Sequence, residues 1–397
     1  MRKITADWIF TLATEPLKNG VVILDNQGTI LDLLPNAQGL EEVEKLNGVL
    51  CPGFINAHCH LELSHLRDRL PQKTGLVTFI KNVQQFRNAA DEEVLSAIEK
   101  AETEMIANGI VAVGDISNSS ISFSQKQKSN LRYHTFVEVF GFNPESAEAI
   151  IERANNLLRA APQTASVTPH APYSVSEKLF KLISNSELSI RNPQLLSIHN
   201  QETIEETKFF EDKSGEFLDL YKTFGLDISF FQSSGKTSLQ TYLPWLGQAK
   251  TLLVHNTFSS QQDIDFAKAR GENYFCLCPN ANLFIEDALP DMQLLMKNQL
   301  PLVIGTDSLS SNTSLSILDE LKTLQHHFLE INLISMLNWA CKNGARFFGW
   351  DDLGTIEKGK RPGLNLIQNL ENLSRADEVK LTAASSVKPI KLCKNYF

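Results

Sequence analysis

Nothing in this chain approaches the roughly 20 consecutive apolar residues that a membrane helix needs, although 42% of it is hydrophobic. No membrane partner is expected. Long basic stretches are also missing: 37 Lys and Arg face 46 Asp and Glu, for a formal net charge of -9. A protein that tracks a nucleic-acid backbone needs the opposite balance, so no nucleic-acid partner is expected either. The opening MRKITADWIF is too polar and too short in apolar length for a secretory signal. Cysteine is scarce. Cys51, Cys59, Cys276, Cys278, Cys341 and Cys393 are spread over 397 residues, which reads as reduced thiols in a cytoplasmic protein. Cys276-Leu-Cys278 has no second cysteine pair, so a buried strand is a better reading than a zinc clamp. No Gly-rich loop of the P-loop or dinucleotide kind occurs.

What the chain does have is a repeated strand ending. Five short apolar runs each stop at a residue of metal-binding type. They are GFINA before His58-Cys59-His60, ASVTP before His170, LLSI before His199, TLLV before His255 and PLVIGT before Asp307. Short β-rich runs alternating with helical stretches imply parallel strands joined by crossovers. In a closed parallel barrel the C-terminal strand ends converge on one site. Three histidines and an aspartate make a ligand set for one divalent ion.

The alternation is regular. Strand-like runs lie near residues 54, 111, 135, 166, 196, 252, 274 and 302. Between them VTFIKNVQQFRN, DEEVLSAIEKAETEMIANG and SAEAIIERANNLLRAA are helical by periodicity. Ser174-x-x-Glu177 reads as a capping box opening the next helix. In residues 1–51, VVILDNQGTILDLLP reads as a hairpin, with turn residues between two apolar runs. Similar character returns near the end in GKRPGLNLIQN and SSVKPIKLC. The expected fold is α/β: a (β/α)8 TIM-like barrel over residues 52–348, with a small discontinuous β-sandwich domain built from 1–51 and 349–397.

PGFINAHCHLE, TPHAPYS, IHNQE, LVHNT, CPNANL and GTDS, in that order, resemble the amidohydrolase superfamily. The likeness covers essentially the whole chain. It is closest to the mononuclear aminohydrolases, which deaminate adenosine-type nucleosides, guanine, cytosine or aminodeoxyfutalosine. The resemblance implies that His58, His60, His199 and Asp307 bind the metal. It implies that His255 contacts the attacking water and that Asp307 handles its proton. Glu202 resembles the proton-shuttling carboxylate, and His170 a substrate-contacting histidine. Binuclear members carry a lysine at the end of the fourth strand. TPHAPYS has none, so one ion is expected, as Zn2+ or Fe2+. Nucleoside-deaminating members often place an acidic residue and a tryptophan after H-x-H, where this chain has HLELSHLRDRLPQKTGLVTFI.

The chemistry required is consistent with these residues. A metal with an open position lowers the pKa of bound water toward about 7. Expelling an amine from an aromatic ring also needs a carboxylate that protonates the ring nitrogen and then the leaving group. Glu202, three residues after His199, suits that role; the alternative is a solvated glutamate in an acidic stretch, as Glu205 and Glu206 are taken to be. Asp307 has an alternative as a helix cap, and His255 as a satisfied buried histidine. Glu62 and Arg67 either reach the substrate from the first loop or pair with each other at the surface. Glu138 faces inward or outward, and Asn280 and Asn282 shape a loop. His65, His134, His326 and His327 are non-ligands. The expected activity is hydrolytic deamination of a small heterocyclic substrate, of purine or purine-nucleoside type, such as aminodeoxyfutalosine or S-adenosylhomocysteine. Rivals are hydrolysis of a cyclic amide or ring chlorine, and an inactive barrel serving as a binding subunit. A homodimer is compatible with either.

Overall fold

The computed structural model describes residues 1–184, 189–190 and 194–391. The expected end of the last β segment, with Cys393, lies outside the described residues. All eight apolar runs form strands: β1 (Phe54–Cys59), β2 (Ile110–Ser117), β3 (Arg132–Val139), β4 (Thr164–Pro169), β5 (Leu195–Asn200), β6 (Lys250–His255), β7 (Asn273–Leu277) and β8 (Leu302–Ile304). β1 to β4 lie in one sheet in chain order, and β5 to β8 in another. The pairings β3–β4, β5–β6, β6–β7 and β7–β8 are parallel. β1 and β5 are buried at every residue. Burial on both faces explains why they read as continuous apolar runs rather than alternating ones. The protein is therefore α/β with parallel sheets.

Bonds also join the edges of the two sheets. The N–H of His199 donates to the carbonyl of His170 at 2.9 Å, and that of Ser197 to Oγ1 of Thr168 at 2.7 Å. At the other edge, the N–H groups of Thr306 and Asp307 both donate to the carbonyl of His58 at 3.1 Å. Gly305 permits this approach. A Cβ there would meet Sγ of Cys276, Cβ of His58 and the His58 carbonyl, each at 2.9 Å.

The chain divides into two compact units, 1–57 with 102–113 and 316–397, and 58–101 with 114–315. The first takes in the helical region 316–348 as well as the two chain ends. In it, Leu364–Gln368 pairs antiparallel with Val49–Pro52, which brings the ends together. The hairpin Val21–Leu24 with Ile30–Leu34 forms as expected. Its turn is pinned by Asp25, whose Oδ1 accepts from Gln27 and Thr29. Ile4, Ile9, Val22, Leu24, Leu50 and Leu366 share one core there. No described helix is long and apolar enough to cross a membrane.

Candidate active site

Every residue of the candidate site belongs to the second unit. Successive side chains alternate along an extended chain, so His58 and His60 point one way and Cys59 the other. Nε2 of His60 lies 3.1 Å from Nε2 of His58 and 3.3 Å from Nε2 of His199. Oδ1 of Asp307 lies 3.3 Å from Nε2 of His60 and 3.6 Å from Nε2 of His58. All four residues are buried, with one donor atom of each within 4.8 Å of the others. A tetrahedral site with metal–ligand distances of about 2.1 Å has edges of about 3.4 Å. The spacing thus fits one divalent ion.

The donors are also oriented for it. Nδ1 of His199 donates to the carbonyl of His170 at 2.8 Å, leaving the Nε2 lone pair facing the cluster. Burial pushes His60 down to about 3 and His199 well below the usual histidine range. Neutral imidazole is the form that binds metal. Burial alone would raise Asp307, but His58, His60 and His255 outweigh it and hold the carboxyl well below the usual range. Oδ2 of Asp307 accepts from Ser311 at 2.5 Å. The helix Ile317–His327 takes Ser316 as its cap, so Asp307 is not spent on capping it.

Glu202 and His255 meet beside this cluster, with Oε1 of Glu202 3.5 Å from Nε2 of His255. Burial, then the charges of Asp307, Glu286 and Glu206, hold Glu202 well above the usual carboxylate range. Burial likewise pushes His255 down to about 4. Nδ1 of His255 donates to Oδ1 of Asn282 at 2.7 Å, so Nε2 is the bare nitrogen. The backbone here is left-handed at non-glycine residues: φ is 75° at His255, 57° at Asn256, 47° at Gln201 and 56° at Asp307. Such conformations persist only where the surroundings fix them. Asn256 supplies much of that, donating its N–H to the carbonyl of Asn200 at 3.0 Å and Nδ2 to that of Leu253 at 2.8 Å.

A cavity of about 460 Å³ opens onto His60, His199, Glu202 and Asp307. Its outer wall is apolar and aromatic, with Phe79, Phe140, Phe142 and Tyr221. His170 lines it, half-buried, with Nδ1 on Oγ of Ser174 at 2.7 Å. Glu138 points inward and lines it too; its Oε2 accepts from Nδ2 of Asn118 at 2.9 Å. Neither Glu62 nor Arg67 is among the lining residues. The Glu62 carboxyl instead accepts from the N–H groups of Asn118 and Ser119, at 3.0 and 3.1 Å. His65 and His134 bond to neighbouring protein groups, and His326 and His327 lie on a helix in the first unit.

A family model described as the amidohydrolase family matches residues 49–387. The chain belongs to the amidohydrolase family. An adenosine deaminase of Helicobacter pylori is 31% identical over 84% of this amidohydrolase and 82% of that protein. An aminodeoxyfutalosine deaminase of Nitratiruptor is 27% identical over 93% of this chain and 90% of its own. Among solved structures, an aminofutalosine deaminase of Helicobacter pylori in complex with methylthio-coformycin aligns over 96% of this chain and 98% of that one, at 26% identity and a TM-score of 0.77. An atrazine chlorohydrolase of Arthrobacter aurescens complexed with zinc has the same fold, at 14% identity and a TM-score of 0.69 over 92% of this chain and 86% of that one. This amidohydrolase is an enzyme that hydrolyses C–N bonds other than peptide bonds.

Three features of the amidohydrolase site were not read from its sequence. Ser174 is not a capping residue: its hydroxyl serves His170, and the helix Glu177–Ser184 instead uses Ser176, which accepts from the N–H of Leu179 at 3.3 Å. Glu206 is not solvated but fully buried. The clue was its spacing, three and four residues before the buried Phe209 and Phe210. Asp115 and Lys126 form a fully buried ion pair of 2.6 Å beneath the H-x-H segment. Oδ1 of Asp115 accepts from the N–H of Leu61, next to His60, at 2.9 Å.

Proposed function

We propose that this amidohydrolase is a metal-dependent hydrolytic deaminase. It replaces an exocyclic amino group of a purine-type heterocycle with oxygen and releases ammonia. One observation carries the reading: a buried carboxyl, Glu202, lies beside both the bare nitrogen of His255 and the His58–His60–His199–Asp307 cluster. A ring nitrogen and a leaving amine both need a proton, and this arrangement offers one.

When bound by His58, His60, His199 and Asp307, a divalent ion supplies a nucleophile from water at neutral pH. His255 orients the attacking water by accepting a hydrogen at Nε2. Glu202 gives its proton to the ring nitrogen as the water oxygen bonds to the amino-bearing carbon. One of the water's protons restores Glu202. The other passes through Asp307 to the amino nitrogen, the C–N bond breaks, and ammonia departs from an oxo product. His170 and Glu138 hold the substrate from the cavity wall.

The ion is a single zinc. Imidazole and carboxylate donors at tetrahedral spacing suit it, and TPHAPYS at the end of β4 offers no lysine to bridge a second ion. The substrate is a purine nucleoside such as aminodeoxyfutalosine or S-adenosylhomocysteine, supported by the named relatives and by a cavity whose outer wall is apolar. The two parallel sheets close into one eight-stranded barrel, supported by the bonds at both sheet edges. The two chain ends form a small β-sandwich. The buried thiols of Cys51, Cys59, Cys276, Cys278 and Cys341 fit a cytoplasmic protein. The chlorohydrolase likeness supports the fold alone. Metal analysis with an ammonia-release panel of aminopurines, purine nucleosides and aminopyrimidines tests the reading. About one zinc per chain and ammonia from a purine are expected. Chloride release or ring opening without ammonia would overturn it.

A further inference from the structure

Four residues beyond Glu202 lies a second buried carboxyl that the reaction above does not use. Glu206 is 0% exposed, although the stretch around it is acidic and Lys208, Glu211 and Asp212 on the same helix are exposed. Its Oε1 accepts from the N–H of Gln201 at 3.0 Å and from the hydroxyl of Ser238. Among the described residues its Oε2 has no partner within hydrogen-bond distance. Burying a carboxyl with one oxygen unpaired is costly, so the fold retains it against a penalty.

Helix capping does not account for it. Thr203-x-x-Glu206 has the capping-box pattern, in which the glutamate bonds back to the N–H of the cap residue. Thr203 does cap the helix Ile204–Asp212, accepting from the N–H of Glu205. Glu206, however, reaches past the cap to Gln201. That residue is left-handed, with φ of 47°, and forms the bend between His199 and Glu202. The same bend is laced to the bend after His255. The carbonyl of Gln201 accepts from the N–H of Phe258 at 3.0 Å, and its Oε1 accepts from Ser259 at 2.6 Å.

We infer that Glu206 is the positioning residue for Glu202: its carboxyl clamps the Gln201 peptide in the left-handed bend that aims Glu202 at His255 and the bound substrate. The inference rests on Glu202 being the proton carrier. A misplacement of about 1 Å in a reacting group can cost about 100-fold in rate, so the clamp should be visible in turnover.

The test compares metal-loaded wild type with Glu206→Leu, Glu206→Asp, Glu206→Gln and Glu202→Gln. Ammonia release from adenosine, S-adenosylhomocysteine and aminodeoxyfutalosine gives kcat and KM. Hydrogen exchange of the peptide spanning residues 200–203 reports the clamp without any substrate. Glu206→Leu should lower kcat by about 10- to 100-fold, with KM within about 3-fold and metal content unchanged. Glu206→Asp, one methylene too short to reach Gln201, should do the same and removes the risk that the leucine variant fails to fold. Glu206→Gln keeps an oxygen for Gln201 and should regain most of the loss. Exchange at 200–203 should quicken in the leucine and aspartate variants. Wild-type kcat or wild-type exchange in Glu206→Asp overturns the inference. So does an equal loss of kcat in Glu206→Gln and Glu206→Leu, which would mean charge rather than positioning. If Glu202→Gln itself keeps the wild-type rate, the proton-carrier reading is what fails.

Discussion

Replacing Glu202 by glutamine separates proton transfer from everything else the residue does. Burial and the negative charges of Asp307, Glu286 and Glu206 hold its carboxyl well above the usual range. Burial thus favours the neutral carboxyl, to which glutamine is close in shape. The amide can still lie against Nε2 of His255, 3.5 Å from the carboxyl oxygen in the wild type. Folding and metal content should change little, since replacing the neutral form neither adds nor removes a buried charge. What disappears is the proton that must travel from water to the ring nitrogen. General acid–base groups contribute about 10²- to 10⁴-fold, equivalent to about 3 to 5 kcal/mol of barrier at 1.36 kcal/mol per decade. Steady-state ammonia release, metal analysis and a thermal melt on one preparation measure all three quantities. A loss confined to kcat and kcat/KM, with KM nearly constant, identifies an interaction made in the transition state. Near wild-type turnover would place the proton carrier elsewhere and bring hydrolysis of a ring amide or chlorine forward. A large fall in thermal stability would show that the resting carboxyl is charged and paired, against the argument from burial.

Three further outcomes follow from the same geometry. His199→Ala should lose bound metal, whereas His255→Ala should keep it and lose about 10²-fold or more in kcat; loss of metal in His255→Ala would make that residue a ligand. Lys126→Met leaves Asp115 buried without its 2.6 Å partner and should cost about 3–5 kcal/mol in urea unfolding. Adding Asp115→Asn should recover part of that, and a fully additive double variant would refute the coupling. Glu206→Gln should flatten the pH dependence of stability. Burial raises the Glu206 carboxyl from 4.5 to about 7. The protonated native form thus stabilises the wild type below about pH 4.5, and that contribution is lost as pH rises through about 7. Urea midpoints should shift in the variant's favour across that window, and parallel pH curves would count against it.

The parallel strands were legible because burial on both faces forces long apolar runs, whatever the chain does elsewhere. The convergence of His58, His60, His199 and Asp307 was legible for a related reason: each residue closes such a run, and strand direction sends all those ends the same way. Position along a strand is local information. The settings that aim these side chains are not local. Asn282 is 27 residues from the His255 it orients, and Asp115 is 54 from the Leu61 N–H it holds. The left-handed backbone at His255 has no decisive signature either, since even histidine, which takes positive φ more often than most residues, does so only in a minority of cases.

Glu206 marks the boundary between the two kinds of information. Composition put it among solvated acids, because ETIEETKFFED is acidic throughout. Periodicity pointed the other way. Counting back from the buried Phe209 and Phe210 by three and four residues places Glu206 on the inward face, while Glu205 is half-buried and pairs with Lys208. The two signals conflict at this residue because a carboxyl is rarely buried unless something there makes use of it. In this chain the something is a peptide N–H five residues back, inside the bend that carries Glu202. The spacing of Glu206 from the buried aromatics is the sequence signal that sets it apart from the solvated acids around it.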